Sequence, residues 1–81
     1  MYLEIITPDK KVFEGDVSMA TFPGTQGSFQ VLNNHAPIIS TLENGEIRLT
    51  TSTGQQLFQV DGGVVEVLNN KIIVLAESIT A

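Results

Sequence analysis

An all-β fold, a small flattened β-sandwich or barrel of about eight to ten short strands, is predicted by three observations. Apolar residues recur at every second position in short runs, which is the period of a strand with one buried face. Gly, Pro, Asn, Asp and Ser cluster between the runs, where turns need them. No segment joins a 3.6-residue apolar period to a helix cap, so no helix is expected. With 81 residues and no linker or internal repeat, the chain reads as one domain over residues 1–81.

Taken in order, Tyr2 to Thr7 sets Leu3 and Ile5 against Tyr2, Glu4 and Ile6 and forms the first strand. Pro8 and Asp9 then supply a turn, because proline fixes φ and aspartate bonds its own backbone. Val12 to Phe22 reads as one long strand bent at a bulge near Gly15, since glycine inside a strand pattern marks such a kink. Pro23, Gly24 and Gly27 break the backbone, Phe29 and Val31 alternate as a strand, and Asn33 to Pro37 break it again. Ile38–Leu42 and Ile47–Thr50 flank Asn44 and Gly45, and Asn-Gly between two apolar runs predicts a type I′ hairpin. Ser52 to Gln55 form another turn ahead of the strand Leu57–Val60. Gly62 and Gly63 permit a sharp corner into Val64–Leu68, and Asn69-Asn70 closes the last hairpin. Lys71–Glu77 is apolar on both faces, as a central or covered strand would be.

Composition narrows the function classes. Nine acidic residues against four basic ones give a net charge of −5, which repels phosphate backbones and anionic headgroups, so neither nucleic-acid binding nor direct lipid insertion is expected. The longest apolar run, Ile72–Ala76, is far short of the ~20 residues of a membrane helix. No cysteine is present to staple the thin core, and no Cys/His cluster offers a structural metal site. Either marginal stability alone or support from a partner is therefore expected. The opening Met-Tyr-Leu-Glu lacks the basic start and apolar run of a signal peptide, which points to the cytoplasm.

No catalytic constellation emerges, and no cofactor or metal is expected. His35, the one histidine, has no cysteine, second histidine or nucleophile elbow to work with, and reads as a structural or contact residue. Gly24-x-x-Gly27 opens no helix and has no lysine beside it, so it reads as a turn and not a phosphate cradle. Glu43, Glu46 and Asp61 could be imagined around a divalent ion, but the oxygen-rich spacing of a calcium loop is missing and solvated side chains are the simpler reading. Lys71, next to the Asn69-Asn70 tip, admits an alternative: a lipoyl- or biotinyl-type carrier domain. The residues such carriers need around the lysine are absent. A sugar-binding module is weaker still, with no Trp and one Tyr.

Apolar residues on outward phases, namely Ile6, Leu32, Leu57, Val64, Leu68, Ile73 and Leu75, carry the strongest signal for an interaction module. They form either a binding surface or the seals of the barrel ends.

Pro23-Gly24-x-x-Gly27-x-Phe29, followed by Asn34-His35-Ala36-Pro37 and Asn44-Gly45-x-Ile47-Arg48, resembles the epsilon subunit of F-type ATP synthases. Thr7–Asp16 and Val60–Val67 agree with the family's opening strands and its later Gly-Gly corner, so the resemblance covers nearly the whole chain. It implies a non-catalytic central-stalk (rotor) subunit that couples a gamma subunit to the ring of membrane subunits below the catalytic head, for proton-driven ATP synthesis. Peripheral attachment at the cytoplasmic face of the bacterial inner membrane follows from the same likeness. Residue by residue, it places His35, Ala36, Pro37, Ile38 and Ile39 against the gamma subunit, and Gln26, Gly27 and Ser28 near the polar loops of the ring. Ser28 stands where relatives often carry an acid. Most family members continue into two C-terminal helices; here the chain stops at Ala81, and the ATP sensing and inhibition that belong to those helices are not expected of it.

Overall fold

A computed structural model of the chain describes residues 1–80. Its strands are β1 (Tyr2–Ile6), β2 (Lys11–Asp16), β3 (Met19–Gly24), β4 (Gly27–Leu32), β5 (Ile38–Leu42), β6 (Gly45–Thr51), β7 (Gly54–Val60), β8 (Gly63–Leu68), β9 (Lys71–Ala76) and β10 (Ile79–Thr80). No helix occurs among the described residues, so the all-β prediction holds. Hydrogen bonding runs in the order β10-β7-β6-β3-β5-β8-β9-β1-β2, with β4 paired to β3. Every pairing is antiparallel except β1 with β9.

One layer is β5-β8-β9-β1-β2 and the other β4-β3-β6-β7-β10, and the pair Gly24–Leu42 joins them along one side. Across the opposite side Phe13 of β2 meets Phe58 of β7 edge to face, with ring centroids 6.0 Å apart. The inward phases of both layers make a single core. Leu3, Ile5, Val65, Val67, Ile72 and Val74 from the first meet Ala20, Phe22, Val31, Ile47, Leu49 and Val60 from the second, and no polar residue is buried among those described. Each large apolar side chain so buried contributes about 1.5–3 kcal/mol. The surface ion pairs Lys11–Glu4, Lys11–Glu14 and Arg48–Glu46 contribute about 0–1 kcal/mol each. Burial, not charge, holds this fold.

Three local expectations need correction. Val12–Phe22 is not one strand: the chain leaves β2 after Asp16, turns through Val17 and Ser18 and re-enters a different layer as β3. Val17 N–H donates to the Met1 carbonyl and Ser18 N–H to that of Thr50, so the break is held from both layers. The irregularity in β2 also lies at Val12 and not Gly15, because Ile5 pairs Phe13 while Ile6 pairs Lys11. Finally, Asn44 and Gly45 make no type I′ hairpin. Neither has positive φ, and β5 pairs β8 while β6 pairs β3 and β7. Pro23 occupies the space instead: a Cβ on Gly45 would sit 2.7 Å from that of Pro23, and Glu43 N–H donates to the Pro23 carbonyl. The segment is a layer-switching corner.

Other turns fall where the residues put them. Thr25-Gln26 link β3 to β4, Ser52-Thr53 link β6 to β7, and Asn69-Asn70, with φ of 51° and 60°, link β8 to β9. The corner at Gly62-Gly63 carries the chain from one layer to the other. Lys71–Ala76 is central, flanked by β8 and β1. The short β10 on β7 is a strand the apolar pattern does not announce.

Candidate functional site

Register turns the outward apolar residues into a face. Across β5, β8, β9 and β1, cross-strand neighbours run Thr41, Val64, Leu75, Ile6 in one row and Ile39, Glu66, Ile73, Glu4 in the next, with Leu68, Lys71 and Tyr2 beyond. Ile39 is 77% exposed, Leu75 55%, Leu68 47% and Val64 39%. Of the seven residues singled out for outward phase, five thus share one surface: Ile6, Val64, Leu68, Ile73 and Leu75. Leu32 on β4 and Leu57 on β7 belong to the other layer, each about half exposed. A shallow groove of about 460 Å³ runs along Pro37, Ile38, Ile39, Glu66, Val67 and Leu68. A second, of about 510 Å³, follows Ile6, Val64 and Leu75 to Gly63 and Glu77. Glu66 lies between Ile39 and Ile73 and has no ion-pair partner among the described residues.

His35, Ala36 and Pro37 are all exposed on the connection leading into β5. That connection is pinned. His35 N–H donates to the Leu32 carbonyl, the His35 Nδ1 lies 2.8 Å from the Ala36 carbonyl oxygen, and Asn34 N–H donates to Asn70 Oδ1 in the β8–β9 turn. Asn33 Oδ1 accepts from the N-terminal ammonium at 2.8 Å. Asn34 has φ of 63°, a conformation asparagine tolerates better than most side chains. Ile38 and Ile39 differ in kind: Ile38 is half-buried and packs on the core, whereas Ile39 points outward.

Gln26, Gly27 and Ser28 are exposed at the β3–β4 tip. Thr25 ties the tip to the far end of β5, by its N–H to the Thr41 carbonyl and a 2.6 Å hydroxyl contact with Thr41. The two segments singled out from the sequence are therefore not one site. One leads into the start of β5 and the other is tied to its far end, and β5 is about 13 Å long at ~3.3 Å per residue.

Residues that could have carried chemistry do not converge. Glu46 pairs with Arg48 at 3.1 Å, Glu43 is exposed, and no group of three His, Cys, Asp or Glu able to hold a metal occurs among the described residues. Lys71 does not sit at the hairpin tip as a carrier lysine would. It opens β9, paired with Tyr2 and Leu68, with its ammonium 5.6 Å from the centre of the Tyr2 ring. On the same outer face Tyr2 hydroxyl donates to Glu14 at 2.6 Å, and Lys11 bridges Glu4 and Glu14. The Tyr2 hydroxyl, then Lys11, holds the Glu14 carboxyl below its ordinary range. Glu4 and then Glu14 raise Lys11.

Sequence reasoning missed Asn33, Asn34 and Asn70 as the pins of the histidine segment, and Glu66 as the lone acid in the apolar rows. The two Asn-Asn pairs, Asn33-Asn34 and Asn69-Asn70, were the available signal for the first, since asparagine is the side chain that readily caps turns and tolerates positive φ. The second needed the register.

Comparison with known proteins completes the picture. The family described as "ATP synthase, Delta/Epsilon chain, beta-sandwich domain" matches residues 1–81. The ATP synthase epsilon chain of Chlorobium limicola is 40% identical over 79 residues, covering 96% of this chain and 90% of that one. The Chlorobaculum tepidum epsilon chain is 42% identical with the same coverage. That of Pelotomaculum thermopropionicum is 46% identical over 76 residues, and there the chain spans 57% of the relative's length. Among solved structures, a chain of the Tetrahymena thermophila mitochondrial ATP synthase central stalk and c-ring aligns over 98% of this chain and 64% of that one, with a TM-score of 0.83 at 19% identity. A chain of the Euglena gracilis mitochondrial ATP synthase aligns over 96% and 51%, with a TM-score of 0.90 at 17% identity. At those identities the structural matches speak for the fold.

Proposed function

Because this chain belongs to the ATP synthase delta/epsilon family through its beta-sandwich domain, we propose that it works as a non-catalytic rotor subunit of the central stalk. In this reading it joins a gamma subunit to the ring of membrane subunits, below the catalytic head, at the cytoplasmic face of the bacterial inner membrane. Turning the rotor asks for a rigid body gripped at two separate places, not for an active site. The observation that carries the reading is the outer apolar face beside the pinned His35–Pro37 segment, with Ile39 largely in water. Oily side chains in cross-strand rows favour a protein neighbour that covers them.

His35, Ala36, Pro37 and Ile39 are assigned to the gamma contact, with Ile38 behind them as the half-buried support. Gln26, Gly27 and Ser28 are assigned to the ring, at the other end of β5. Lipoyl or biotinyl transfer on Lys71 is set aside, since the family is one of ATP synthase subunits and the lysine lies inside a strand pairing.

The test is purification of the tagged protein from native membranes in mild detergent. Gamma-type stalk and catalytic-head subunits are expected to come with it; recovery of free protein alone would overturn the assignment. Ile39→Asp is the informative variant, because it places a charge on the outer face without entering the core. Recovery of the gamma subunit should fall at least about tenfold, equivalent to about 1.4 kcal/mol, with an unchanged circular dichroism spectrum.

A further inference from the structure

Sheets must manage their free edges, and this one manages them unequally. Three strands have a neighbour on one side only: β2, β4 and β10. Strand β10 has two residues. Strand β2 carries Lys11, Glu14 and Asp16 and a register shift at Val12, the charges and irregularity that keep an edge from pairing. Strand β4 has neither protection. Its six residues, Gly27–Leu32, include no charge and no proline, and its register with β3 is unbroken from Met19–Leu32 to Gly24–Gly27.

Which backbone groups are free follows from the hairpin. Gly24 and Gly27 close a two-residue loop, so they are a hydrogen-bonded pair, and bonded and non-bonded pairs then alternate. Phe29 and Val31 bond β3; Ser28, Gln30 and Leu32 turn their N–H and C=O groups away from it. The surrounding contacts agree: Pro23, opposite Ser28, sends its carbonyl to Glu43 on the far side of β3, and the Leu32 carbonyl accepts from His35 N–H. No turn, loop or side-chain contact reaches the amides of Ser28 and Gln30 among the described residues, and their pairs with β3 are the non-bonded ones.

We propose that the free edge of β4 accepts an extended segment of the gamma-type partner, which adds a strand to the sheet through the backbone of Ser28 and Gln30; this rests on the stalk-subunit reading for the identity of the donor. The edge itself specifies the occupant's chemistry, since only an extended peptide can satisfy alternating donors and acceptors at strand spacing. It begins at Gln26–Ser28 and ends three residues before His35, so a strand lying on it spans the interval between the two assigned contacts. Its uncharged outward side chains, Ser28, Gln30 and the half-exposed Leu32, suit a donor strand without fixed charge.

Residue-resolved amide exchange of the chain with and without the purified gamma subunit tests this. On binding, the Ser28 and Gln30 amides should slow by at least about tenfold, while those of Phe29 and Val31, already bonded to β3, change little. Gln30→Pro removes an N–H that faces away from β3, as edge strands allow, and should weaken gamma binding at least about tenfold with its melting temperature kept. Ser28→Pro makes the same test one position pair away should Gln30→Pro not fold. Gamma binding that leaves both amides exchanging freely overturns the strand addition while the stalk reading stands. Protection that grows with the concentration of this chain alone assigns the edge to a second copy and likewise overturns it. Absence of any gamma binding by the unaltered chain, with Ile39→Asp indistinguishable from it, removes the stalk reading and the donor together.

Discussion

On the inner side of the layer β5-β8-β9-β1, Val65, Val67, Ile72, Val74, Leu3 and Ile5 are sealed from water. One residue along the same strands, Val64, Leu68, Leu75 and Ile39 stand in it. Both faces carry large aliphatic side chains, the outer one interrupted by Thr41, Glu66, Glu4 and Lys71, and they are opposite in energetic role. Inner side chains stabilise the fold because another layer covers them, whereas outer ones gain nothing until something else does. A small domain that keeps such a face uncovered pays in solubility, and a partner contact is the return.

Substitution of neighbours on β9 gives the largest expected contrast. Ile72→Ala, fully buried, should lower stability by about 2–5 kcal/mol through lost burial and a cavity. Leu75→Ala, three residues on and half exposed, should stay within about 0.5 kcal/mol. Denaturant titration with an unchanged slope would measure both. Equal losses would mean that the outer face already contributes to the fold, and the comparison would break.

Gly63 tests the seam where the chain passes from one layer to the other. It has φ of 147°, and a Cβ there would lie 2.4 Å from the Leu75 carbonyl oxygen and 2.9 Å from the Ala76 Cα. Backbone cannot yield as a side-chain tip can, so Gly63→Ala should cost about 1–3 kcal/mol, with part of the loss appearing as displacement of β8 against β9. A thermal melt unchanged by the substitution would show that the corner is looser than its geometry.

The faces were legible in the sequence where a single strand decided them. Leu3 and Ile5 inside, with Ile6 outside, follow from alternation alone, and the turns at Gly24–Gly27, Ser52–Gln55 and Asn69-Asn70 follow from their residue types. What failed was everything that depends on which strands are neighbours. Asn44-Gly45 has the residues of a hairpin, yet Pro23 fills the adjacent space and the flanking strands go to different layers, so the dipeptide becomes a corner. Val12–Phe22 keeps its alternation across Val17 and Ser18 on paper, but the chain changes layer there and the phase resets, which is why Val17 is buried on one phase and Ala20 and Phe22 on the other. The candidate site divides the same way. Its members were named from a resemblance, but their separation toward the two ends of β5, and the difference between half-buried Ile38 and exposed Ile39, come only from register.

The smallest expected effect concerns the polar contacts on the outer face, where exposed Lys11 and Glu14 form a network with the half-buried Tyr2 and Glu4. Glu14 is held below its ordinary value of 4.5 by the Tyr2 hydroxyl and Lys11, so the unfolded chain takes up that proton more readily and the network's contribution is complete above pH 4.5 and lost as the pH falls through the folded value. Lys11, raised above 10.5 chiefly by Glu4, and Tyr2, raised above 10.0 chiefly by Glu14, act in the opposite sense. Their contribution is complete below those values and disappears as the pH rises through the folded ones. Between the two limits the network should leave stability level. Glu14→Gln should then flatten the acid limb of a melting-temperature profile slightly and leave the neutral range where it was, because solvent screens exposed pairs. If the variant instead melts far lower at pH 7, the outer face holds the fold through its charges, and the division of labour between the two sides of the layer fails.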